Sequence, residues 1–251
     1  MDFTELISPE EVGKLLGQKA LLNQANGLVD VVLDYKNLMM EYACAIREIE
    51  TKIQNLDTEF AVRYSRNPIS AIHTRLKSQV SIMEKMARKG LPISRASIEE
   101  NLNDIAGIRV ICAYIDDIYR IADALIAQDD IILLERKDYI KEPKPSGYRS
   151  LHLIVSVPVF FAEEKKLVKA EIQIRTIAMD FWASLEHGIR YKQCGENATS
   201  VIEGLKECAE QIAATDQKMQ QLRIQMEQMN EDKKDGLEEL YEKLKRFDAP
   251  F

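Results

Sequence analysis

The sequence predicts an α+β fold, a mixed β-sheet core flanked in the chain by two long helices. Three observations predict it. Between residues 104 and 176, apolar runs of strand length are interleaved with one segment of helical periodicity. On either side, residues 28–56 and 205–229 place apolar groups three and four apart for more than three heptads. The 251 residues are 46% hydrophobic and 30% charged, enough for one sizeable core with helical additions.

Residues 1–26 read as an appendage, a short helical pattern (Val12, Leu15, Leu16) broken by Gly13, Gly17 and Gly27. A sustained helix is expected over 27–65, with a seam running Leu28, Val32, Tyr35, Met39, Tyr42, Ile46, Ile49, Ile53 and Leu56. Arg66-Asn67-Pro68 closes it and, with proline suited to a first helical turn, opens a second helix through Ile82, Met83 and Met86. Residues 104–114 read as a loop feeding a buried strand. Asp116-Asp117 begin a helix carrying Ile118, Ile121, Ala122 and Leu125. A further apolar strand follows at 131–134, then a basic loop and an exposed Gly147-Tyr148-Arg149 turn. The apolar run 151–157 and the β-branched run 171–176 are strands, and a helix with Phe181, Trp182 and His187 ends a core spanning 66–194. Residues 195–251 form a C-terminal helical region with a seam of Leu205, Cys208, Ile212, Thr215, Met219, Leu222, Met226 and Met229.

Several classes are excluded. No apolar run approaches ~18 residues, so a membrane span is not expected. The acidic N-terminus lacks an export pattern, and four cysteines without Cys-x-x-Cys spacing fit a reduced, cytoplasmic protein. The formal charge of −7 argues against general duplex binding. That charge is uneven, however: from Arg63 to Arg95 eight Lys or Arg accompany one acid, and from Arg136 to Arg149 five accompany two. Such segments fit local anion sites as well as solvated helix faces.

The candidate chemistry sits between these basic segments. Residues two apart in a strand share a face, so Glu171, Gln173 and Arg175 point one way and Ile172 and Ile174 the other. Asp104 lies at the mouth of an earlier strand. A carboxylate pair beside basic loops suits Mg²⁺, which takes one or two carboxylates plus substrate phosphates; with 41 acids in the chain, spacing alone makes a solvated surface carboxylate the default for either. The three histidines, His73, His152 and His187, make no zinc pattern. His187 reads as a core or cap residue, and His152 as a ligand contact. Tyr148 can offer its ring to a base. No P-loop and no dinucleotide-binding glycine motif is present.

Asp-Ile-Ala-Gly-Ile-Arg-Val at 104–110, Lys-Pro-Ser-Gly-Tyr-Arg-Ser-Leu-His at 144–152 and Ala-Glu-Ile-Gln-Ile-Arg-Thr at 170–176 resemble the RelA/SpoT synthetase family. Thr74-Arg75-Leu76-Lys77, Ser81-Ile82, Lys85-Met86 and the 181–187 segment match as well, in the right order. With no hydrolase and no regulatory domain, the chain is similar to the small, RelQ-type alarmone synthetases. The resemblance implies a nucleotidyltransferase-like core, homotetramers, and transfer of the β,γ-pyrophosphate of ATP to the 3′-hydroxyl of GDP or GTP in stringent-response signalling. It implies Mg²⁺ on Asp104 and Glu171, with Glu171 as general base, a task that calls for a partly raised pKa. Arg75 and Arg109 would sandwich adenine, and Lys77, Ser81 and Lys85 would grip the ATP phosphates. Tyr148 would stack on guanine, with Gln173 and His152 beside the acceptor nucleotide, and Lys137 and Lys144 would also bind substrate. Long relatives carry Arg-x-Lys-Asp where this chain has Glu135-Arg136-Lys137-Asp138, so GDP and GTP stay open. Ala71-Ile72-His73-Thr74-Arg75 replaces the Phe-Val-Thr-Gly-Arg pattern of product-stimulated relatives. A nucleotide- or single-stranded-RNA-binding regulatory oligomer remains the alternative.

Overall fold

In the computed structural model, residues 9–64, 66–191 and 198–231 are described. Helix α1 (Pro9–Tyr64) runs unbroken for 56 residues, so the expected start near Leu28 moves to Pro9. A glycine inside a helix costs only about 1 kcal/mol against alanine. Gly13, Gly17 and Gly27 therefore do not stop a helix that propagates from both sides. Packing is uneven among the α1 residues whose burial is described. Leu38, Tyr42, Ala45, Ile49, Ile53, Leu56 and Phe60 are buried, whereas Val29, Val31, Val32 and Leu33 are exposed.

The segment after Pro68 is a strand and not the first turn of a helix. β1 (Ile69–Leu76) precedes α2 (Gln79–Arg88), whose N-terminus is capped by Ser78 accepting from the Ser81 amide. Two physical reasons favour the strand. Proline biases the residue before it away from helix, and Ile69, Ile72 and Thr74 are β-branched. β1 also pairs antiparallel along β2 (Ala106–Cys112), from Ile72 opposite Val110 to Leu76 opposite Ala106. Short α3 (Arg95–Asn101) leads into β2, and α4 (Ile115–Ile126) follows it.

β3 (Ile132–Asp138) extends four residues past the expected apolar stretch and lies exposed at the sheet edge. β4 (Leu151–Phe160) and β5 (Lys165–Thr176) form the antiparallel centre, followed by α5 (Ile177–Tyr191) and α6 (Ala198–Glu231). The strand order is β1-β2-β5-β4-β3, with β2 and β5 parallel and the other neighbours antiparallel. This is the expected mixed sheet. One face carries Ile108, Val110, Ile172 and Ile174 into a core with α1, α4 and Ile98 of α3. Arg66 locks α4 from below the sheet, donating to both oxygens of the fully buried Asp117 at 2.5 and 2.6 Å.

The C-terminal helix packs on a different line from the expected seam. Ala209 and Asp216 are buried and Leu205, Ile212 and Arg223 partly so, while Cys208, Thr215, Met219, Leu222, Met226 and Met229 face outward. Small and polar groups make the fit: Trp182 donates to the Leu205 carbonyl, and Thr176 to the Asp216 carboxylate. His187, expected in the core or at a cap, is exposed on α5.

Ile49 is completely buried between α1 and the sheet. Ile49→Ala is expected to cost about 2–5 kcal/mol through lost transfer energy and a residual cavity. Urea denaturation checks this as a lower midpoint with an unchanged slope.

Candidate active site

The strand register assembles the site. His73, Arg109, Gln173, His152 and Lys137 stand opposite one another across all five strands. The next row is Arg75, Gly107, Glu171, Ile154 and Glu135. Cross-strand partners share a face, so two polar rows lie on the side of the sheet away from α1. Gly107 keeps the floor open between Arg75 and Glu171, since a Cβ there would meet the Arg75 carbonyl oxygen at 3.3 Å. Over it lies a cleft of about 320 Å³ lined by His73, Arg75, Lys77, Asp104, Arg109, Glu171 and Gln173, among others. Residues from β1, β2 and β5, far apart in sequence, thus share one cavity.

Asp104 sits at the end of this cleft where Lys77 and Lys85 converge. Its Oδ2 accepts from Lys77 Nζ at 3.0 Å and lies 2.8 Å from Lys85 Nζ. Burial pushes its carboxyl up, but the Lys85 and Lys77 ammonium groups outweigh burial and hold it below the usual carboxylate range. Its Oδ1 is buried and accepts no hydrogen bond. Ser81 sits in the first turn of α2, with its hydroxyl 3.0 Å from that of Ser78. Arg109 Nε is likewise a buried donor without an acceptor.

Glu171 belongs to a closed ring of hydrogen bonds. Gln173 Nε2 donates to Glu171 Oε2 at 2.9 Å, and Gln173 Oε1 accepts from Arg175 Nη2 at 2.8 Å. Arg175 Nη2 also donates to the Tyr148 hydroxyl at 2.6 Å, which lies 2.7 Å from His152 Nε2. His152 Nδ1 closes the ring on Glu171 Oε1 at 3.3 Å. An imidazole with its proton on Nδ1 matches every donor to an acceptor around the circuit. Burial raises the Glu171 pKa, yet the His152 and Gln173 hydrogen bonds outweigh it and leave the carboxyl below the usual range. The partly raised value expected for a base is therefore not what the free protein holds: Glu171 is kept ionised.

Tyr148 is less open than a bare stacking platform. Lys144 Nζ lies 4.8 Å from its ring centroid and 4.5 Å from that of Tyr139, and the Arg175 guanidinium carbon lies 5.1 Å from the Tyr148 ring. The Gly147 turn, expected to be exposed, is buried under α6: with φ +89°, a Cβ on Gly147 would meet Ala209 Cβ at 2.5 Å. Lys137 stands apart, half exposed on edge strand β3 and 2.9 Å from Glu135 Oε2. Two side chains that sequence reasoning missed complete the site. Arg175, noted only for its face, is buried and donates additionally to Ser150 Oγ and Asp180. Asp180, in the first turn of α5, accepts from Arg175 and lies 3.3 Å from Arg109. The acid one turn into the helix after the Arg175 strand is the signal that points to it.

The cleft thus sets two ionised carboxylates beside Arg75, Lys77 and Arg109. Comparisons with known proteins point to one family. The model describing a region found in RelA/SpoT proteins matches residues 74–196. The chain is 44% identical over 192 residues to GTP pyrophosphokinase YwaC of Bacillus subtilis, covering 76% of this chain and 91% of that protein. The crystal structure of small alarmone synthetase 2 from B. subtilis superposes with a TM-score of 0.69 at 42% identity, over 76% of this chain and 99% of that one. Small alarmone synthetase 1 from the same organism, bound to its product pppGpp, gives 0.70 at 35% identity, over 76% and 97%. The chain belongs to the RelA/SpoT family.

Two outcomes follow from this geometry. His152→Ala removes the hydrogen bond that lowers the Glu171 pKa, so the acid limb of the rate profile moves to higher pH; kcat/KM measured from pH 4 to 8 checks the direction. Gly147→Ala forces both a left-handed backbone and an overlap with Ala209, and is expected to lower thermal stability and loosen the Tyr148 loop. Thermal melts set it against Gly188→Ala inside α5, where a Cβ meets nothing within 4 Å and alanine should hold or raise stability.

Proposed function

We propose that the chain is a GTP pyrophosphokinase that makes (p)ppGpp, the alarmone of the stringent response. The single observation that carries this reading is the closed ring that keeps Glu171 ionised in the same cleft as Asp104 and Lys77. Glu171 takes the proton from the 3′-hydroxyl of GDP or GTP. The freed 3′-oxygen forms a bond to the β-phosphorus of ATP as the bond from that phosphorus to the α-phosphate oxygen breaks. AMP leaves, and the β- and γ-phosphates stay on the guanosine nucleotide.

The other site residues take roles by position. Arg75 and Arg109 flank the cleft from β1 and β2 and bind the ATP base, a stacking task suited to planar guanidinium. Lys77, Lys85 and Ser81 hold its phosphates. Tyr148, Gln173, His152 and Lys144 receive the acceptor, with Lys137 at its rim. The buried, unpartnered Asp104 Oδ1 fits a hard cation, so Asp104 with Glu171 are the residues that hold Mg²⁺. Such an ion supplies charge neutralisation on the phosphates. Most of the rate enhancement then comes from positioning and fixed charge.

The core over 66–194 is the catalytic unit of this reading, and its nucleotide substrates place it in the cytoplasm; no described helix is long and apolar enough to cross a membrane. Exposed Ile177, Phe181, Leu185 and Ile189 line α5, and exposed Met219, Leu222, Met226 and Met229 line α6. Both stripes support assembly into a homotetramer.

Glu171→Gln keeps shape and removes the base, so AMP formation from ATP and GDP should fall about 10²- to 10⁴-fold, with the protein still folded by circular dichroism. Undiminished turnover contradicts the role of Glu171. Glu135→Gln releases the Lys137 ammonium, and the ratio of GTP to GDP turnover should rise; an unchanged ratio removes Lys137 from the acceptor phosphates.

A further inference from the structure

The two halves of the site meet at one oxygen atom that the reaction itself does not use. Asp180 Oδ1 lies 3.3 Å from Arg109 Nη1 and 3.2 Å from Arg175 Nη1. Arg109 faces the cleft with 40% of its side chain exposed, while Arg175 keeps only 5% exposed. The one is therefore free to respond to a ligand, and the other is fixed in the interior.

What lies beyond Arg175 is the acceptor side. Its Nη2 holds both the Tyr148 hydroxyl and Gln173 Oε1, and through them His152 and Glu171. Four of its five N–H donors are spoken for by Ser150, Asp180, Tyr148 and Gln173, so the guanidinium cannot turn without breaking the ring. Asp180 is itself set by local structure. Thr176 Oγ1 accepts from the Met179 amide at 3.1 Å and donates to Asp216 at 2.6 Å, which fixes the first turn of α5 against α6. A carboxylate in that turn is also favoured by the positive end of the helix.

We propose that Asp180 is a positioning residue that couples the ATP-base subsite to the acceptor subsite, by sharing one carboxylate oxygen between Arg109 and Arg175. The inference rests on the pyrophosphokinase reading for the identity of the two subsites. When a base stacks on Arg109 and draws its guanidinium into the cleft, Asp180 is left to Arg175 alone. The charge pair holding Arg175 tightens, and the ring around Glu171 with it. Donor binding thereby readies the acceptor side, and by linkage the acceptor favours the donor equally.

The test measures the GDP affinity of the full-length protein with and without a saturating non-hydrolysable ATP analogue, by calorimetry. The wild-type protein should bind GDP about 5-fold or more tightly when the analogue is present. Asp180→Asn, which keeps the shape and loses the charge, should bring that ratio close to one while each nucleotide alone binds within about 3-fold of wild type. Asp180→Glu should restore part of the ratio. A ratio in Asp180→Asn equal to that of the wild type overturns the proposal and leaves the pyrophosphokinase reading standing. Failure of the wild-type protein to bind either nucleotide overturns both. Because loss of Asp180 also uncovers the charge of Arg175, a measurement on the unaltered protein stands beside the variants. The assigned Arg175 Nε–H resonance should shift on adding the ATP analogue alone, and an unmoved resonance overturns the coupling.

Discussion

The guanidinium of Arg175 is the interaction on which the site depends. It is buried at the end of β5, where an unpaired cation would be costly. The chain surrounds it with Asp180, Ser150, Gln173 and Tyr148, and two of these partners also orient Glu171, Gln173 directly and Tyr148 through His152. Structural satisfaction of one buried charge and the orientation of an ionised carboxylate are thus a single arrangement. The ring explains why Tyr148 and His152, four residues apart on a turn and a strand, keep one fixed relation to Glu171 on the neighbouring strand.

The sheet makes this possible through register. With β2 and β5 parallel and adjacent, Arg109 stands opposite Gln173 and Gly107 opposite Glu171. A slip by one residue would send every one of these groups into the apolar core. The opposite face prevents the slip, because Ile108, Val110, Ile172 and Ile174 are buried against α1 and α4. Apolar packing on one side therefore fixes polar geometry on the other. The far ends of the site are secured by helices: α2 brings Lys85 to Asp104, and α6 seals the Gly147 turn that carries Tyr148.

Much of this was legible in the amino-acid order. Alternation over 171–176 placed Glu171 and Gln173 on one face, and the apolar run at 151–157 announced a central strand. The basic run with its single acid was visible as a partner for an anion and Asp104 as a ligand for a cation, and the structure brings Lys77 and Lys85 onto that aspartate. Three features were not legible, each for a physical reason. β1 and α2 lie so close that Ile72, Ile82 and Met86 imitate one helical stripe, and only pairing with β2 decides for a strand. The position of Asp180 one turn after the Arg175 strand is a local signal, but its contact with Arg109 depends on how α5 packs over β2 and β5, which no local pattern encodes. The inner line of α6 is built from Ala209, Asp216 and Arg223, groups that a hydrophobic period passes over.

The central claim is that the chain moves a pyrophosphate and not a nucleotidyl group. The most direct measurement follows the label from ATP carrying ³²P at the β-position, incubated with Mg²⁺ and GDP or GTP and resolved by chromatography. The account predicts label in the guanosine product and unlabelled AMP in equal amount. Label released as free pyrophosphate, with AMP retained on an acceptor, would contradict it.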